Sequence, residues 1–105
     1  ADGLVEILLE GTIAAVRESV ASRLQARIDA GDADAIPQFA AYQLNMLEEP
    51  NYETAYIWYS IAAALGLKGT LEARDDAREN VEDERIIELQ AEAGTIYESL
   101  SINTD

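Results

Sequence analysis

Residues 51–66 read NYETAYIWYSIAAALG, and the spacing of their apolar side chains governs how the rest of the chain must be arranged. Wound at about 100° per residue, Ala55, Tyr59, Ala62 and Gly66 fall on one stripe, with Trp58, Ile61 and Leu65 on a second stripe beside it. Only a narrow sector, marked by Glu53 and Ser60, stays polar. A helix patterned in this way is covered on two sides, which predicts a layered helical array in place of a surface helix with one apolar face. Ala and Gly on one stripe admit a close neighbour, while Trp58 and Tyr59 supply large buried area. These two rings are read as wedges between helices. Tyr56, nearer the polar sector, is read as open to a ligand.

On the N-terminal side, Val5, Leu9, Ile13, Val16, Val20, Leu24 and Ile28 keep helical spacing for many turns and predict a long helix over residues 3–30. Asp2 is its expected cap, and Gly11-Thr12 is where it would bend. Gly31-Asp32-Ala33-Asp34 is a turn, after which Asp34 is expected to cap a second helix with Pro37 in its first turn. That helix uses Ile36, Phe39, Ala40, Leu44 and Leu47 and stops before Pro50. Asp29, Asp32 and Asp34 lack the alternate ligand spacing, the glycine and the closing glutamate of a calcium loop, so turn and capping roles explain them better.

On the C-terminal side, Gly66-Leu67-Lys68-Gly69 offers a left-handed exit, and Thr70 is expected to cap a short fourth helix with Leu71, Ala73, Ala77 and Val81 as its apolar stripe. Arg74 and Arg78, with Asp75 and Glu79, read as exposed ion pairs worth about 0.3–0.5 kcal/mol each. Glu82 or Asp83 caps a last helix in which Ile86, Leu89, Ala93, Ile96, Tyr97 and Leu100 face inward. Glu84, Glu88 and Glu92 form a like-charge column on its solvated side. The expected plan is one domain over residues 1–105: a capping helix at 3–30, a helix pair at 34–66, a closing pair at 70–100 and a frayed tail at 101–105.

Composition narrows the function. With 105 residues and 49% hydrophobic content the chain makes one ordinary folded domain. Its net charge is −14, with three basic against nine acidic residues up to residue 50 and four against twelve after it, so the acidity is general. Contact with a phosphate backbone needs Lys and Arg, which are scarce, so nucleic acid is disfavoured and a basic partner favoured. The absence of Cys and His excludes thiol chemistry, imidazole catalysis, conventional triads and most zinc sites. Gly66-x-x-Gly69 lacks the Lys and the preceding strand of a phosphate loop, and no acid sits on an apolar face where burial would raise its pKa. No catalytic, cofactor or metal residues are therefore expected. No apolar run approaches 18 residues, so no membrane insertion is expected. The chain opens at Ala1-Asp2-Gly3 without Met, in keeping with either a trimmed or a processed chain, and a cysteine-free sequence suits cytoplasmic and exported settings alike.

Ala55-Tyr56-Ile57-Trp58-Tyr59, then Ala62-Ala63 and Gly66, resembles the second helix of the Sel-one-like repeat, a relative of the tetratricopeptide repeat, with its A-x-x-W-Y-x-x-A-A-x-x-G pattern. Ala73-Arg74-Asp75 and the Ile86 helix through Gln90 are similar to the closing helices of many bacterial proteins of that family. The resemblance spans residues 51–93 and departs from the pattern at Leu44-Asn45, in the short Glu48-Glu49-Pro50 connection and at Thr70. It implies an all-α, right-handed stack of antiparallel helical hairpins, about five helices in all, acting as a non-enzymatic adaptor or scaffold that binds another protein or peptide. By the same resemblance the second helix lines a concave groove, making Gln38, Tyr42 and Asn45, together with Tyr56, the candidate partner-binding residues. An end helix that failed to cover its neighbour would favour a homodimer. The alternative reading is an acidic imitation of the nucleic-acid backbone that blocks a basic protein, motivated by the charge alone.

Overall fold

Helix α3 (Tyr52–Ala64) is the member against which the others are placed. The computed structural model describes residues 2–100, with side chains from Thr12 onward. Within them the chain is all-helical: α1 (Asp2–Asp29), α2 (Ala35–Asn45), α3, α4 (Thr70–Arg78) and α5 (Asp83–Ser99) follow in order, with no strand among the described residues. Helices α2, α4 and α5 all pack on α3, and α1 rests on α2. Ala55, Tyr56, Ile57, Trp58, Tyr59, Ile61 and Ala62 are buried, so α3 is enclosed on more than the two sides that its stripes require. At its start the Asn51 side chain accepts from the Thr54 amide at 3.1 Å, satisfying one of the four free N–H groups of a helix N-terminus. At its end Gly66 takes φ +78°, the expected left-handed exit.

The core joins Leu24 and Ile28 of α1, Ile36 and Ala40 of α2, Trp58 and Ile61 of α3, Ala77 of α4 and Ile86, Leu89 and Ala93 of α5. Phe39 links two of these layers. Its ring meets Trp58 edge-on at 5.2 Å and lies parallel to Tyr42 at 6.1 Å. Edge-to-face contact suits the opposed quadrupoles of two aromatic rings.

Several local expectations are corrected. Asp34 stands at the start of α2 but makes no side-chain cap; its amide instead donates to Asp32 Oδ1 at 3.1 Å, so the earlier aspartate organises the turn. Helix α2 stops before Pro50 as expected but already at Asn45, so Leu47 lies beyond it, and the Asn51 amide donates back to the Gln43 carbonyl at 2.8 Å. Thr70 is the first residue of α4, not its cap: Gly69 precedes it at φ +79°, and the Thr70 hydroxyl donates to the Leu67 carbonyl at 2.6 Å. Glu82 precedes α5 without a side-chain cap bond. Leu71 and Tyr97, expected inside, are 55% and 41% exposed. The Arg78 guanidinium reaches Asp83 at 3.6 Å, beyond its own helix. Helix α1 is, as expected, one long helix that runs on through Gly11. The expectations for the Asp2 side chain and for residues 101–105 lie outside what is described.

Candidate functional site

Gln38, Tyr42 and Asn45 recur at four- and three-residue spacing on α2, which brings them to one face of the helix. That face meets α1 at Val20 and Leu24, and together they line a shallow cavity of about 330 Å³. Tyr42 forms its wall and is buried, with its hydroxyl donating to the Arg17 carbonyl of α1 at 3.0 Å. Gln38 is exposed but engaged at both ends: Nε2 donates to the Asp34 carbonyl at 3.1 Å, and Oε1 accepts from Arg27 at 3.3 Å. Arg27 is itself paired with Asp32 at 2.9 Å. The amide that can meet a partner without first giving up a bond is therefore the exposed Asn45.

A second hollow of about 280 Å³ continues from the first, since Asn45 and Met46 line both. Its other walls are Thr12, Ile13, Val16 and Arg17 of α1. Ile13 is 48% and Val16 51% exposed, although both belong to the stripe that runs on into buried Leu24 and Ile28. The reason is length. At about 1.5 Å per residue the 28 residues of α1 extend about 42 Å, whereas the 11 of α2 extend about 16 Å, so α2 covers only the C-terminal part of the stripe. A groove follows along α1 and the end of α2, with an apolar floor and polar groups at its middle. The sequence reading missed Ile13 and Val16 as surface residues; the available signal was an apolar period much longer in α1 than in the helix set against it.

Tyr56 is not part of this groove. It is 3% exposed, and its hydroxyl accepts from Gln90 Nε2 of α5 at 3.3 Å. Helix α5 covers a third side of α3, and that cover takes Tyr56 out of the sector assigned to solvent. The same contact holds an ion pair that the sequence did not reveal. Arg85 of α5 binds Glu53 of α3 at 3.0 Å and also Glu88 on its own helix. Hydrogen bonding from the guanidinium holds the Glu53 carboxyl below its ordinary 4.5, and the same bond to Glu53, reinforced by that carboxylate's charge, raises Arg85 above its ordinary value. Burial alone raises the Tyr59 phenol.

A third hollow, of about 290 Å³, opens between α3, α4 and α5. Among the described residues no group of three or more acidic side chains is disposed to hold a metal ion. No helix there is long and apolar enough to cross a membrane. Set against protein-family models, curated proteins and solved structures, the chain finds no match.

Proposed function

We propose that this chain is a non-enzymatic interaction module of the Sel-one-like, stacked-hairpin kind, and that it takes an amphipathic helix of another protein, flanked by basic residues, along the groove between α1 and α2. The observation that supports this most is the apolar stripe of α1 outrunning α2, which leaves Ile13 and Val16 half exposed beside Met46. An incoming helix with a matching stripe would complete the layer that α2 begins, in the way apolar anchors fill a groove in helix recognition. Tyr42, fixed by Arg17 and stacked on Phe39, gives that groove a rigid wall. The net charge of −14 favours Lys and Arg around the visitor's apolar face and speeds the encounter.

The test uses two synthetic 18-residue helices with the same leucine face, one flanked by Lys and one by Glu, in isothermal titration against the intact chain. Both helices are expected to bind through the leucine face, the Lys helix the more tightly. Ile13→Asp and Val16→Asp should each weaken the Lys helix by roughly tenfold or more, about 1.4 kcal/mol per decade. Binding should fade only mildly from low to moderate salt, because apolar anchors are not screened. Binding untouched by both substitutions and abolished by moderate salt would contradict the groove and support the acidic decoy instead.

A further inference from the structure

The hollow between α3, α4 and α5 differs in kind from the groove across the molecule. In a chain with 21 acidic and only 7 basic residues, its lining holds no Asp or Glu and does hold Arg74. Its floor is apolar, from Ile61 of α3 and Ala93 of α5, and α5 contributes Gly94, where an added Cβ would meet nothing within 4 Å. Its polar lining is Arg74, which can only donate, the Gln90 amide, and the hydroxyls of Ser60, Tyr56 and Tyr97, which can donate or accept. Ser60 Oγ is buried and has no hydrogen-bond partner, an arrangement that costs free energy unless a ligand supplies the acceptor. Tyr56 Oη accepts from Gln90, which leaves the phenolic proton uncommitted. Arg74 uses Nε and one terminal nitrogen on Asp75 Oδ1, at 3.2 and 3.0 Å, and a guanidinium has five N–H groups.

We propose that this cleft binds a small monocarboxylic acid with an apolar body, its carboxylate accepting from Arg74, Ser60 and Tyr56 and its body lying on Ile61 and Ala93. A cation and two hydroxyls that can each donate at the same time favour a group that only accepts, and an ionised carboxylate is such a group. The planar guanidinium suits its two oxygens. A volume near 290 Å³ is at the small end of ligand sites, which limits the body to about the size of a single ring. This site is independent of the α1–α2 groove.

The experiment is a two-dimensional NMR titration of the intact labelled chain with phenylacetate, with the neutral isostere phenylacetamide and with N-acetylphenylalanylglycine, which carries the same group at a peptide end. Phenylacetate is expected to shift the Ser60, Arg74 and Gly94 amides saturably and to bind at least roughly tenfold tighter than the amide. Arg74→Gln should erase that preference, and Gly94→Leu, which fills the cleft while leaving every donor in place, should abolish binding of both. Dispersed spectra of the two variants show that each still folds. Equal affinity for acid and amide, no saturable shift, or unchanged binding in Gly94→Leu would overturn the site. Tighter binding of the peptide than of phenylacetate would overturn a free acid as its ligand.

Discussion

Trp58 is buried between α2 and α3 with Phe39 set edge-on against it, so Trp58→Ala leaves a cavity that helix backbones can close only in part. The expected cost is about 3–5 kcal/mol, visible as a large fall in the midpoint of urea unfolding. Tyr42→Phe is a finer probe. It keeps the stack on Phe39 and removes the hydroxyl bond to the Arg17 carbonyl, for an expected loss of about 1 kcal/mol in the same measurement. Glu53 carries a pH signature. Because its folded pKa lies below the ordinary 4.5, the stability it confers is fully present above that value and drains as pH falls through the lowered one. Glu53→Gln should therefore flatten the acid-side decline of thermal stability below pH 4.5 and leave its alkaline side unchanged. The roles of Trp58 and Tyr59 were legible because periodicity reports which side of a helix is apolar. Tyr56 and Glu53 were not, because Gln90 and Arg85, which engage them, stand more than thirty residues away and no local pattern encodes that meeting.

Helix ends divide into those that sequence discloses and those that it leaves contested. Asn51→Ala removes the only bond that its side chain makes to the α3 backbone and should cost about 1 kcal/mol. Gly69→Ala should cost about 1–2 kcal/mol through backbone conformation alone, since φ is +79° and nothing crowds the new methyl. Gly94→Ala is expected to act in the opposite direction, raising stability by about 0.5–1 kcal/mol, because Gly94 sits within α5 with open space beside it. Denaturant titration of the three variants reads all three signs. Five helices were legible from apolar spacing and from Gly and Pro punctuation. The caps were less so: Asp32 and Asp34 compete for one turn, and Thr70 offers a hydroxyl that serves equally as a cap or, as observed, as a donor back to Leu67. Where two residues of like chemistry lie within three positions, geometry chooses between them and sequence does not.

Across the molecule, α3 carries α2, α4 and α5, while α1 continues past the cover that α2 gives it. Both hollows of interest arise where that packing stops short. One lies where α1 outruns its partner, the other where α4 and α5 lean on α3 more closely than on each other. Gaps of this sort are legible in sequence only as mismatched helix lengths or small residues, here Ala93 and Gly94, and neither shows by itself what faces it. The placement of α3 at the centre is open to one decisive probe, because Trp58 is the single tryptophan in the chain. Its fluorescence in the native protein should be blue-shifted and shielded from acrylamide, and should become water-like and quenchable only as the helical circular dichroism is lost. Native emission already at the position of the urea-unfolded chain, with quenching to match, would mean that no helix covers α3 at Trp58 and would contradict the arrangement described.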